Sequence, residues 1–445
     1  MNSSSGSLYR VDAGLNWQTP AWPDAPSMTH AGVPYRTAAT IAALRFRERS
    51  ADGIASLSKD EWPELIDWCT RKQLIVMLGE FCQGALPDFV QKRVAAIRLG
   101  FEHRTDRLVD QLTAAADVLA TRGIELVVLK GFSHCPELTP SMLWRAQGDI
   151  DLWCHSDEVY QAHQALRGYG YVSRSSVSER HLAPLTLPNN WVWNGNYTEI
   201  PVGIELHYKL WNAASEHIAA PGQDDMWRRR TQRPFFGRTY NVLAPTDILG
   251  FAALHLLLHV LNGDLPLQRA WEIGFFLHHR SKDDRFWSQW RRLHHPKLRR
   301  IEALVFRLVQ LWFWCDTPEC LEEELKQLPH SAQAWLQQFP FAPLSSEYDR
   351  NKNHLWLHLA LSDSLKGRAA IARRHLVPLG IRAALTRSPA VSQQRGWPTA
   401  LAHLRFLMSR ASFHARSILP TLWGGIQLLR RKLTTRRRAR FVALS

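Results

Sequence analysis

The chain has 445 residues, 45% apolar and 21% charged, which suits two or three domains with filled cores and excludes a disordered chain. Its net charge of +15 is uneven: after Asp363 no acidic residue occurs and positions 364–445 hold 17 Lys and Arg, leaving 38 basic against 40 acidic residues elsewhere. Six cysteines (Cys69, Cys82, Cys135, Cys154, Cys315, Cys320) lack metal-site spacing, and neither a secretory signal nor a spanning apolar run is evident, so a cytoplasmic protein with reduced thiols is expected.

Residues 1–40, rich in Ser, Pro, Ala and Thr, read as an irregular lead-in. From about Thr37 to Phe101 apolar residues recur every three or four positions and predict helices. A further helix is expected from about Arg104 to Arg122, with Leu108, Leu112, Ala115, Val118 and Leu119 on one face and Gly123 as its stop. The period then becomes extended. Ile124–Leu129 reads as a buried strand, a loop follows to Gly148, and DIDLWC from Asp149 alternates polar and apolar residues. Ser156 is placed to cap a helix that stops at Gly168 and Gly170. Residues 171–200 read as loop or hairpin and Val202–Leu210 as another strand. Helices resume from Pro245 to Phe313; the run Ile248–Leu261, too short to span a membrane and containing two histidines, is expected to be a buried helix. Breaks follow near Pro318, Pro329, Pro340 and Pro343. The tail from about Lys366 is helical in composition, broken at Pro378, Pro389, Pro398 and Pro420. The expected divisions are 1–103 (lead-in and helices), 104–215 (α/β core), 216–345 (helical domain) and 346–445 (basic helical tail).

The most informative stretch is RAQGDID, residues 145–151. In a strand, residues two apart share a face, so Asp149 and Asp151 project together while Ile150 and Leu152 enter the core. Two carboxylates held this close repel unless a cation sits between them, which suits Mg²⁺. The plainer alternative is a solvated strand end or turn. Glu205, on the second strand, would complete a three-carboxylate cluster, or else face solvent. His207 shares its face and is a weaker candidate, equally suited to a half-buried structural role.

The run VVLKG…R…GDIDLWC, followed about fifty residues later by IELHYKLW, resembles the bacterial uncharacterised nucleotidyltransferase family, a branch of the polymerase-β-like superfamily. Lys130, Gly131, Arg145, Gly148, Asp149, Asp151, Gly170, Tyr171, Glu205 and His207 carry the resemblance, and PTDILGFAALHLLLHVL…WEIGFFL is similar to the helical part of such proteins. It extends over roughly residues 75–280 and leaves the C-terminal part unexplained. The resemblance implies an α+β fold, with a small mixed sheet flanked by N-terminal helices and a larger C-terminal helical region. It implies that Asp149 and Asp151 hold Mg²⁺, two ions if active, with a bound nucleoside triphosphate. Glu205 would be the third acid and the acceptor's base. The acceptor, a small molecule, peptide or protein side chain, would attack the α-phosphate and release pyrophosphate. Members of the wider superfamily usually present Gly-Ser on the phosphate-facing turn, where this chain has Lys130-Gly131-Phe132-Ser133. Amides near Gly131 and Ser133, the Lys130 charge and Gly148 are the phosphate-binding candidates; Lys130 could equally reach solvent. Arg145 suits a bidentate phosphate contact, or an ion pair with an aspartate. The rival is a non-catalytic binding or scaffold protein that keeps the fold.

His255 and His259 share a helix face but lack the acid of a zinc-protease motif, so an internal or subunit-facing pair is favoured over a metal site. Trp191, Trp193 and Tyr197 would stack on a base or acceptor, or pack within a hairpin. In the tail, Ile418, Leu419, Leu422, Trp423, Ile426, Leu429 and Leu433 can share an apolar side next to RRKLTTRRRAR. That combination suits an anionic membrane surface, giving a peripheral place at the inner membrane surface; nucleic-acid phosphates or plain solvation are the alternatives.

Overall fold

Among the described residues seven strands form one mixed sheet, in the order β3-β4-β5-β2-β1-β7-β6. They are β1 (Val127–Leu129), β2 (Asp149–Trp153), β3 (Val172–Ser173), β4 (Leu185–Thr186), β5 (Gly203–His207), β6 (Thr231–Phe235) and β7 (Arg238–Val242). This computed structural model describes residues 28–145, 147–173, 180–191, 197–376, 408 and 411–430. With helices on both sides of the sheet in sequence, the architecture is α+β, as the pattern predicts. Central β2 runs parallel to β5 and antiparallel to β1. The β6–β7 hairpin is paired to β1, so the sheet extends past the boundary expected at residue 215.

Alternation gives the sheet two faces. Val128, Ile150, Leu152, Ile204, Leu206 and Val242 pack beneath the helices Asp88–Ala120 and Val159–Tyr169. Val127, Leu129 and Trp153 project the other way, into a larger core shared by the N-terminal helices and the helices after Pro245. The N-terminal helices therefore have no core of their own. Trp271 donates to Leu44 O at 3.0 Å, and Phe46 N–H donates to Phe313 O at 2.9 Å.

The helix predicted from Arg104 begins at Asp88 and runs unbroken for 33 residues to Ala120. Val90, Val94 and Phe101 enter the larger core, and Leu108, Leu112, Ala115 and Leu119 enter the sheet core. Gly123, at φ +68°, ends the run, as expected. The helix after β2 starts at Val159, and the Ser156 hydroxyl turns to Asp157 instead of capping it. Asp157 and Glu158 supply the favourable charge at that end without a hydroxyl cap. The run Ile248–Leu261 lies in the helix Pro245–Asn262, which is buried on nearly all sides.

That helix is locked to its neighbour by a buried ion cluster. His294 lies 3.1 Å from Asp247 Oδ1 and 2.8 Å from Glu302 Oε1, and Arg229 forks onto Asp247. Gly250 leaves room for it: a Cβ there would meet His294 Cε1 at 2.8 Å. Burial alone would lower the His294 pKa, but Glu302 and Asp247 outweigh it and lift it to about 9. A folded pKa above the ordinary value of about 6.5 means that stabilisation is complete below that pH and disappears as pH rises through about 9. The unfolding free energy in urea is therefore expected to fall between pH 7 and 9, by on the order of 2–3 kcal/mol. A His294→Gln variant should show a markedly flatter dependence; equal slopes in the two proteins would contradict this account.

Candidate active site

The carboxylates meet because β2 and β5 pair in parallel register. Asp151 lies opposite Glu205, Asp149 opposite Gly203, and Leu129 of β1 on the other side of Asp151. The three acids therefore project from one sheet face, toward the helices after Pro245. Asp151 is 3% exposed and the Glu205 side chain 21%, so Glu205 is partly sheltered and not a solvent-facing residue.

Three basic side chains surround them. Lys130 Nζ is 2.6 Å from Asp151 Oδ1, and His207 Nε2 is 2.8 Å from the same oxygen and 3.5 Å from Glu205 Oε2. His181 Nε2 is 3.6 Å from Glu205 Oε2. Lys130 is buried, so it does not reach solvent. Its backbone sits at φ +49°, ψ −160°, a conformation a side chain seldom adopts, as the chain swings from β1 into the turn Gly131–His134. Gly131 follows at φ +44°, and a Cβ there would overlap Gln147, whose amide donates to Asp149 O at 2.8 Å. Ser133 is buried with its hydroxyl donating to Lys130 O, and Gly148 is exposed just ahead of Asp149.

The electrostatics separate the two aspartates. Burial, then the charges of Asp151 and Glu205, push the Asp149 carboxyl up to about 7. Burial would raise Asp151 too, but Lys130 and then His207 outweigh it and hold Asp151 well below the usual carboxylate range. For His207, burial favours the neutral ring, yet its bonds to Asp151 and Glu205 raise its pKa. Asp151, Glu205 and His207 present ligand atoms within 4.8 Å of one another; Asp149 lies outside that group, on the same strand face two residues before Asp151. Asp149, Asp151 and Glu205 make an all-oxygen set suited to a hard divalent cation, with His207 Nε2 beside two of them as a nitrogen donor.

Arg145 is differently engaged. It is buried against Glu272 of the helix Leu267–Arg280, with His134 Nδ1 3.0 Å from the same carboxylate, so the ion pair expected with an aspartate is made with Glu272. Glu272 and His134 hold Nη1 of the guanidinium, while its buried Nε has no partner among the described residues. From the same helix Arg269 lies within electrostatic reach of Asp149 and Asp151, and its guanidinium contacts His255 Nε2 at 2.7 Å. The pair His255 and His259 is internal, as expected, with ring centroids 4.8 Å apart. Arg269 and His181 were not singled out from sequence. Arg269 lies two residues before WEIGFFL, the one available hint, whereas His181 falls in a stretch with no readable pattern. Trp193 and the Tyr197 side chain lie outside the described residues.

A cleft of about 1020 Å³ begins at Gln147 and Gly148, beside Asp149, and is lined by Arg71, Lys72, Arg104, Lys352 and Arg374 against the acids Asp264 and Glu347. Its far wall includes Phe413 and His414. The cleft reaches Gly148, the residue before Asp149, and none of the three acids is among the residues that line it.

Residues 58–314 match the model of a family described as uncharacterised nucleotidyltransferase. Among curated proteins none matches the chain.

Proposed function

The chain belongs to the uncharacterised nucleotidyltransferase family, and from that membership we propose that it transfers a nucleoside monophosphate from a nucleoside triphosphate to an acceptor with the help of Mg²⁺. The observation that carries this reading is the convergence of Asp149, Asp151 and Glu205 from adjacent parallel strands onto one face. Their donor chemistry fits the ion: Lys130 and His207 both bond to Asp151, and the charges of Asp151 and Glu205 repel that of Asp149.

Asp149, Asp151 and Glu205 would hold the ion, which when bound supplies neutralisation of the triphosphate's charge. Lys130 and Arg269 would attract the phosphates, and amides around Gly131 and Gly148 would orient them. An acceptor entering along the cleft would give up its proton to Glu205. Its oxygen or nitrogen then bonds to the α-phosphorus as the bond to the bridging oxygen breaks and pyrophosphate leaves. Lys130 would exchange Asp151 for phosphate as the triphosphate arrives.

The test is thermal unfolding with ATP, GTP, CTP or UTP plus Mg²⁺. At least one should raise the melting temperature in an Mg²⁺-dependent way, and a labelled α-phosphate should appear on a product formed in cell lysate. If no triphosphate stabilises the protein and no label is transferred, the reading gives way to that of a non-catalytic binding protein.

A further inference from the structure

The helix 411–430 is divided into two faces. It continues through Pro420, where a break was expected, because the turns on either side are held by the body of the protein. Ser417, Thr421, Gly424 and Leu428 are buried. Thr421 Oγ1 accepts from the Lys352 backbone N–H at 3.2 Å, and the Trp356 indole donates to Thr421 O at 3.0 Å. A Cβ on Gly424 would overlap Asn353, and one on Gly425 would meet Trp356 at 2.6 Å, so the approach is as close as glycine permits.

Among the described residues the opposite face has no such cover. Ile418, Leu419, Leu422, Trp423, Ile426 and Leu429 are 43–77% exposed. At the α-helical repeat these side chains cover roughly 140° of arc, centred away from the docked side. A contiguous apolar stripe of this kind marks a surface that something else covers. Arg416 and Arg430 are exposed on the same helix, and the sequence after Asp363 holds 17 Lys and Arg with no acid. Leu433 and the basic run after Arg430 lie outside the described residues.

We infer that this helix seats the protein on an anionic membrane surface. The apolar stripe enters the boundary between headgroups and acyl chains, and the basic residues pair with acidic headgroups. Charge complementarity selects this occupant. A second copy would bring the same unbalanced positive charge against itself, and nucleic-acid phosphates offer nothing to six apolar side chains. The helix also walls the cleft through Phe413 and His414, so seating it brings the cleft to the bilayer.

The test uses the full-length protein with phosphatidylcholine vesicles, with and without phosphatidylglycerol, followed by co-sedimentation. Binding should require the anionic lipid and weaken with salt. A double Leu419→Glu, Trp423→Glu variant should lose at least about tenfold in partitioning while its melting temperature is unchanged, since both positions are exposed. Equal vesicle binding by variant and parent would overturn the inference, as would equal binding to neutral vesicles. It would also be overturned if the variant lost self-association or RNA binding and kept its hold on the anionic vesicles.

Discussion

Replacing Asp149 with asparagine is expected to reduce nucleotidyl transfer by at least about a hundredfold while leaving the metal-free protein as stable as the parent or slightly more stable. The two effects have one origin. Asp149 shares a strand face with Asp151 and feels the charge of Glu205, and in the metal-free protein Lys130 and His207 bond to Asp151. An amide keeps the shape and removes a repelled charge, a gain of up to about 1 kcal/mol. The same change removes one oxygen ligand, so stabilisation by Mg²⁺ and triphosphate should shrink or vanish. Asp151→Asn is a poorer probe: it leaves the Lys130 ammonium buried without its counter-charge, at roughly 3–5 kcal/mol, and confounds folding with chemistry. The paired measurement is melting temperature with and without ligands, beside product formation. A variant that transfers label at the parental rate would remove Asp149 from the chemistry. One that unfolds well below the parent without ligand would show that its charge is structurally required.

Arg104→Met should be the most destabilising single change near the site, by about 3–5 kcal/mol in urea unfolding. Arg104 is 2% exposed and donates to four carbonyls, those of Gln147, Gly148, Thr198 and Ile200. The first two lie immediately before β2, the others shortly before β5. Methionine fills similar space and takes the Arg104 donors from all four, leaving only Thr198 O another among the described residues, from Arg107. Arg104→Lys should recover little, because an ammonium cannot reproduce the fork that reaches both segments. A loss below about 1 kcal/mol for the methionine variant would mean that water serves the carbonyls equally well.

Much of this site is legible in the sequence because its strands alternate cleanly. DIDLW puts Ile150 and Leu152 in the core and Asp149 and Asp151 opposite, and GIELH does the same for Ile204, Leu206 and Glu205. Period alone does not say which strands pair, or that β2 and β5 run parallel, and it is the pairing that sets Asp151 against Glu205. The β6–β7 hairpin escaped notice because most of its residues are exposed or half-buried and Pro234 interrupts it. Its readable signal is the turn, where Phe236 and Gly237 both have positive φ, as a two-residue hairpin requires. Arg145 shows the other limit. Its partner Glu272 is 127 residues away, and charge type without distance leaves a phosphate, an aspartate and a glutamate equally suitable. In the tail, the apolar face was readable, whereas the docking of Ser417, Thr421 and Gly424 against Lys352 and Trp356 depends on tertiary contacts.

The unbroken 33-residue helix has a consequence for motion. At 1.5 Å per residue it extends about 50 Å. One half is embedded in the core beside the cleft wall that carries Arg71 and Lys72, the other in the core beneath the acid-bearing strands. Many two-lobed enzymes admit substrate by swinging one lobe about a flexible connection. Here the connection is a stiff rod without Pro, clamped near its middle by Arg104. Gating by lobe rotation would have to bend that rod, so entry and exit are left to side chains along the cleft and to the helix 411–430 at its far wall.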